Sequence, residues 1–175
     1  MIETERLMFR EYTLDEGDMS FYASLWGNHE VVKYIGAGIP KTPPEATAHL
    51  EERILPSYQG GLGLFAMVYK PENKLIGHAG IIPQDLGGER ELEIGYWLSP
   101  EYWGKGLATE AAVAFKHYGF NRLHLDKLIS LIHPNNPASI FVARKNQMLY
   151  EKTVHFLTST ALIYAIYKED YDRES

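Results

Sequence analysis

The chain has 175 residues, 45% of them apolar and 23% charged, with 23 acidic against 17 basic side chains and a formal charge of −6. That describes one ordinary globular domain with its own core, and the negative balance argues against non-specific nucleic-acid binding. Cysteine is absent, which excludes disulfides, thiolate metal sites and a cysteinyl acyl-enzyme. The opening MIETERLMFREY has no signal-peptide pattern, and no apolar run approaches the roughly 18 residues of a membrane span, so a soluble cytoplasmic protein is expected.

In chain order, Thr4 to Thr13 alternates Leu7 and Phe9 against Met8 and Arg10, a first strand. After Asp15, residues Met19, Tyr22, Ala23 and Trp26 recur at helical spacing until Gly27-Asn28. Asn28 to Ile35 gives a short second helix ended by Gly36-Ala37-Gly38, and a third runs from Pro43-Pro44 to about Leu55. Leu64 to Tyr69 and Lys74 to Ile82 read as a hairpin across Pro71-Glu72-Asn73. Asp126 to His133 is a strand and Asn135 to Lys145 a short helix. Final strands occupy about Leu149 to Phe156 and Ala161 to Lys168. No repeat or linker divides the chain, so residues 1–170 are expected to be a single domain and 171–175 a frayed polar tail.

The stretch Leu92 to Phe115, LEIGYWLSPEYWGKGLATEAAVAF, organises the rest. Leu92, Ile94, Tyr96 and Leu98 alternate with Glu93, Gly95 and Trp97 as a half-buried strand does, Pro100 ends it, and good helix formers follow Thr109. A helix start offers free N–H groups and partial positive charge, so this junction suits an anion, above all a phosphate. Gly104 and Gly106 allow the backbone to turn amides inward. The nucleotide P-loop is excluded because Lys105 is followed by Gly106. The dinucleotide fingerprint is excluded because Thr109 stands where its third glycine belongs and Asp126 begins, rather than ends, the next strand. On spacing alone, an ordinary strand-to-helix turn stays open.

Strand, Trp103-Gly104-Lys105-Gly106-Leu107-Ala108, helix resembles the acyl-CoA pyrophosphate loop of the GNAT N-acetyltransferases, in detail the RimJ/RimL-like branch. Trp103 departs from the broad Gln/Arg-x-x-Gly-x-Gly/Ala consensus, whereas Gly106 and Ala108 match it. TERLMFREYT and NHEVVKYI resemble the opening strand and short helix of that branch, so the likeness spans the whole chain. It implies an α/β (α+β) GNAT fold: a mixed, mostly antiparallel sheet of six to seven strands flanked by about four helices. The implied activity is transfer of an acetyl group from acetyl-CoA directly to a primary amine, leaving CoA, with no metal.

By position, the resemblance assigns the pyrophosphate to backbone amides of Trp103, Gly104, Lys105, Gly106, Leu107 and Ala108, with Thr109 at the helix start. The Lys105 side chain either adds charge there or points to water. Backbone near Trp97, Leu98 and Ser99 takes the pantetheine arm and presents an amide to the thioester oxygen. Glu93, before Ile94-Gly95-Tyr96, is the general base and Glu91 its reserve; solvation of an exposed strand face is the alternative for both. Asn136 contacts the pantetheine or acceptor and Ser139 donates to the sulfur, with helix capping as the alternative reading. His78 and His133 are possible bases by residue type but suit structural or surface roles better. Other branches use a tyrosine at the sulfur; Tyr150, the nearest here, aligns poorly. Where the branch ends a helix with Leu-Gly, this chain has Asn146-Gln147, and Asn146 is expected to take the left-handed position.

The acceptor side falls to the segment from Trp26 to Tyr58. A protein N-terminal α-amine is the first candidate acceptor and a small amine (amino acid, polyamine or amine antibiotic) the second. A catalytically silent acyl-CoA-binding module is a third reading. No nucleic acid or membrane partner is expected, and the protein is expected as monomer or homodimer.

Overall fold

Apolar residues stand on both faces of the longest strands, and only a sheet covered on two sides can bury such a pattern. The computed structural model describes residues 2–174. β1 (Ile2–Glu3) and β2 (Leu7–Arg10) precede α1 (Glu16–Trp26), α2 (His29–Val32) and α3 (Pro43–His49). β3 (Gly63–Tyr69), β4 (Lys74–Leu86) and β5 (Glu89–Leu98) form an antiparallel meander. α4 (Leu107–Asn121), β6 (Lys127–Ile132), α5 (Pro137–Lys145), β7 (Leu149–Phe156), β8 (Ser159–Tyr167) and α6 (Lys168–Glu174) complete the order. The sheet runs β1-β2-β3-β4-β5-β6-β8-β7. Among the described residues this gives eight strands and six α-helices, more than the six to seven and about four expected, because the two-residue β1 and the terminal α6 leave no signal in sequence.

Local chemistry explains the helix ends. Asp15 caps α1 by accepting from the Asp18 N–H, Asn28 caps α2 through the Glu30 N–H, and Thr42 with Glu45 forms a capping box at α3. The third helix is shorter than its apolar pattern suggested: α3 stops at His49 and passes into a π turn (Leu50–Ile54) and a 3-10 turn that accommodates Pro56.

The sheet divides the core. Phe9, Met67, Ile76, Ile81 and Ile94 pack with Phe115 of α4, while Tyr12, Leu64 and Ala66 pack with Tyr22 and Trp26 of α1. Residues 168–174 are not frayed: α6 forms, and Tyr171 is buried with its hydroxyl 2.7 Å from His117 Nδ1 and accepting from Asn121 Nδ2 at 2.8 Å. One aromatic anchor outweighs six polar neighbours. Ser175 lies outside the described residues.

The feature that positions the site is a break in the sheet. β5 and β6 are parallel neighbours registered at a single pair, Glu93 with Ile129, and towards Leu98 they part. A cavity of about 690 Å³ fills the opening.

Candidate functional site

Main-chain geometry sets one wall of this cavity. The Ser99 N–H donates to Ile76 O at 2.8 Å, and the Trp97 carbonyl points at β4, where a Cβ on Gly77 would stand 2.2 Å from its oxygen. Alternation along an antiparallel ladder therefore turns the main-chain groups of Trp97 and Ser99 towards β4 and those of Tyr96 and Leu98 into the gap. This corrects the expectation for Trp97 and Ser99: Ser99 does not line the cavity, and Trp97 lines it while its carbonyl faces β4. Leu98 lines the cavity, its carbonyl accepting from the Trp103 indole at 2.8 Å.

The loop from Trp103 to Thr109 forms the second wall. Gly104 (φ +72°) and Gly106 (φ +76°) occupy left-handed backbone, which a Cβ opposes. Gly106 is the N-cap of α4 and offers no side-chain cap, so the first-turn amides face the cavity unpaired by protein. Leu107, Ala108 and Thr109 line the cavity beside Gly104 and Gly106. Two positions differ from expectation. The Trp103 amide is taken by Pro100 O at 3.1 Å, and Lys105 lies off the cavity, its ammonium 4.8 Å from the Tyr102 ring centroid.

What holds this loop was not visible in its own residues. Arg6 donates from Nε to Glu110 at 2.7 Å and from Nη1 to the Lys105 carbonyl at 3.0 Å. Thr4 Oγ1 and the Arg6 amide also donate to the Glu110 carboxylate. Burial works to raise the Glu110 pKa, but the bonds from Thr4 and Arg6 prevail and hold it below the usual value. The signals available were an acidic residue in a first helical turn and an arginine in the opening strand; their partnership spans 104 residues.

Glu93 lies where the strands begin to part, and its carboxylate accepts from Gln84 Nε2 at 2.7 Å. Burial raises its pKa to about 7, against the opposing effects of the Gln84 bond and the Leu131 main chain. Glu91 is no reserve for it, being held by Lys127 Nζ at 2.7 Å and away from the cavity. His78 is fully buried, shares a 3.1 Å bond with the Tyr12 hydroxyl and packs 4.5 Å from the Trp97 ring. Burial, aided by the charge of His49, pushes its pKa to about 3, which leaves it neutral and a poor base. His133 lines the cavity beside Tyr34, its Nδ1 accepting from the Asn135 amide.

The start of α5 supplies a polar corner. Asn136 caps the helix by accepting from the Ser139 amide at 3.3 Å and donates from Nδ2 to Ser139 Oγ at 3.0 Å. With that lone pair engaged, the Ser139 proton is free to point elsewhere. Tyr96, a cavity residue the sequence reading overlooked, has its phenol in hydrogen-bonding reach of Ser139 and its pKa pushed up to about 12 by burial. Tyr150 is exposed and paired with Thr153, away from the cavity. After α5 it is Gln147 (φ +65°), not Asn146 (φ −83°), that takes the left-handed position, because the Asn146 side chain is drawn inward to donate to Ala112 O. Of the segment from Trp26 to Tyr58, residues between Glu30 and Gly36 reach the cavity. The opposite rim, Phe156 and Ser159 to Ala161, comes from the β7–β8 hairpin, whose place at the site has no local signal in sequence. Among the described residues no group of three His, Asp or Glu is placed to hold a metal, and no helix is long and apolar enough to cross a membrane.

Residues 6–149 match the family described as acetyltransferase (GNAT) domain. YnaD, an uncharacterised N-acetyltransferase of Bacillus subtilis (strain 168), is 32% identical over 151 residues, which are 86% of this chain and 83% of that protein. The acetyltransferase (GNAT family) from Bacillus anthracis superposes with a TM-score of 0.79 at 29% identity, covering 96% of this chain and 98% of that one. RimL, the ribosomal L7/L12 α-N-protein acetyltransferase solved with coenzyme A, gives 0.76 at 18% identity over 94% and 95% of the two chains, which speaks for the fold alone.

Proposed function

The chain belongs to the GNAT acetyltransferase family and is an acetyl-CoA-dependent N-acetyltransferase, and from that premise we propose that it acts in one ternary complex, with Glu93 taking the proton of a primary amine. The cavity suits such a cosubstrate: unpaired amides gather at one end, a free strand edge runs along the middle, and an ionisable carboxyl stands at the far end. Bound there, acetyl-CoA supplies an activated thioester. The amides of Gly104 and of Gly106 to Thr109 hold its diphosphate, with the dipole of the 15-residue α4 favouring the negative charge. Tyr96 and Leu98 extend main-chain groups to the pantetheine arm, and an N–H of that edge faces the charge that develops on the thioester oxygen.

An α-amine with a reference pKa near 8, or a lysine-type amine near 10.4, is mostly protonated at neutral pH and must lose a proton to attack. Glu93 accepts that proton directly or through a water molecule. As the C–S bond breaks, Ser139 donates a hydrogen bond to the departing sulfur, its oxygen oriented by Asn136 and its neighbour Tyr96 held protonated. A protein N-terminal α-amine is the leading acceptor, on the resemblance of TERLMFREYT and NHEVVKYI to the RimJ/RimL-like branch, and a small amine the second. The observation that carries the proposal is the placement of Glu93: its carboxyl lines the cavity where β5 and β6 part, beside the neutral amide of Gln84, and burial there pushes it towards about 7, which suits a base.

The test is thiol release from acetyl-CoA with a panel of amines. Turnover that falls in Glu93→Gln while CoA affinity holds supports the assignment. CoA binding without turnover on any amine supports the silent module instead.

A further inference from the structure

The proposed chemistry places the amine at Glu93 but leaves open what is attached to it, and the cavity wall carries that information. Among the described residues, three side chains with formal charge line the cavity: Glu30, Lys33 and Glu93. Glu30 and Lys33 are paired to each other at 3.1 Å on the rim. Among the described residues Glu93 is thus the one lining carboxylate with no cationic partner, its contacts being the neutral amide of Gln84 and the Leu131 main chain. A polyamine or an aminoglycoside brings two or more ammonium groups, and each beyond the first would be desolvated here without a counter-charge.

The surface next to Glu93 is apolar instead. Ile82 stands directly across the β4–β5 ladder from Glu93 and therefore on the same face. Ile35 and Trp97 pack on that same side of the sheet, against the cluster of Tyr22 and Trp26. Phe156 and Ala161 close the far rim from the β7–β8 hairpin. The hairpin reaches the opposite loop, with a Leu157 methyl 3.8 Å from where a Cβ on Gly36 would sit. The hairpin and the loop thus approach each other across the cavity, and Ile35, Ile82 and Phe156 give it apolar lining.

We propose that the acceptor carries a single positive charge on its primary amine and an apolar, preferably aromatic, group within a few bonds of that nitrogen. This rests on the assignment of Glu93 as the amine's partner. Two sources share the chemistry: a small arylalkylamine, and the α-amine of a peptide whose first side chain is apolar. Ile35, Ile82 and Phe156 hold the apolar group while Glu93 receives the ammonium proton.

Steady-state kinetics with acetyl-CoA and five amines tests this: 2-phenylethylamine, the amidated tripeptide Phe-Ala-Ala, ethylamine, spermidine and kanamycin. One of the two aromatic amines is expected to exceed spermidine, kanamycin and ethylamine in kcat/KM by about tenfold or more, since a buried apolar group is worth at least that in a hydrophobic pocket. Which of the two leads identifies the source. Phe156→Ala is expected to shrink the phenylethylamine-to-ethylamine ratio several-fold through KM. Preference for spermidine or kanamycin, with robust thiol release, overturns this inference and leaves the acetyltransferase mechanism standing. Thiol release with none of the five overturns both.

Discussion

The two ends of the cavity are built by different means. The end at α4 is a main-chain site: glycine torsions and a helix start present amides, and a short local sequence encodes both. The end at Glu93 is a side-chain site, assembled from the 33–36 loop, β4, β5 and the β7–β8 hairpin, which only the folded sheet brings together. The contrast teaches that a phosphate-binding turn is portable and recognisable, whereas acceptor recognition depends on register and packing at four distant places.

The comparison is most easily broken at its side-chain end. Glu93→Gln keeps the shape and the Gln84 neighbour but removes the base, and its kcat is expected to fall by about 10²–10⁴-fold at pH 8, the usual contribution of a positioned base. Stopped thiol release measures this, and a loss under threefold removes Glu93 from the reaction.

At the main-chain end, Gly106→Val forces a branched side chain into φ +76°. Space is not the obstacle, since the nearest atom to a Cβ there is an Arg6 nitrogen at 3.6 Å. The strain, on the order of 1–3 kcal/mol, is expected to disorder the loop and weaken CoA binding by tenfold or more in calorimetry. Unchanged affinity contradicts the loop assignment.

Arg6→Met sharpens the comparison, because Arg6 braces the main-chain end from outside the cavity. It frees Glu110 and the Lys105 carbonyl together, leaving a part-buried carboxylate with fewer partners. CoA affinity is expected to drop several-fold, with kcat on saturating cosubstrate near that of the parent. A drop in kcat with affinity intact would mean that the pair serves the acceptor end. The smallest effect is expected from Lys105→Ala, less than twofold in CoA affinity, since that side chain rests on Tyr102 outside the cavity.

Legibility in sequence followed the same division. Gly104 and Gly106 announced their torsions and the meander its strands, because the physics that sets them is local. Periodicity also placed α1 within a residue of its observed span. The strand-to-cofactor assignment near Trp97, Leu98 and Ser99 slipped because sequence does not fix which alternate residues face β4; one hydrogen bond, Ser99 to Ile76, decides it. Tyr171 looked like part of a polar tail because its partners, His117 and Asn121, are about fifty residues away. Tyr96 was read as a strand residue, and only the fold brings it to Ser139. Phe156 escaped notice because nothing local distinguishes a cavity rim from an edge strand.

Glu93 also ties function to stability. Its folded pKa of about 7 lies above the ordinary 4.5, so the folded chain keeps a proton that the unfolded chain has released between those values. Stability is therefore expected to fall as pH rises from about 4.5 to about 7, and Glu93→Gln should flatten that slope in urea titrations.

The central claim is that a carboxyl with a pKa near 7 removes the amine proton. The most direct measurement is the pH profile of kcat/KM from pH 5.5 to 8.5, with an amine whose own pKa lies near 10, for the parent and Glu93→Gln. The expected result is a rising limb with a bend near pH 7 in the parent that is missing from the variant. The same bend in both proteins would contradict the account.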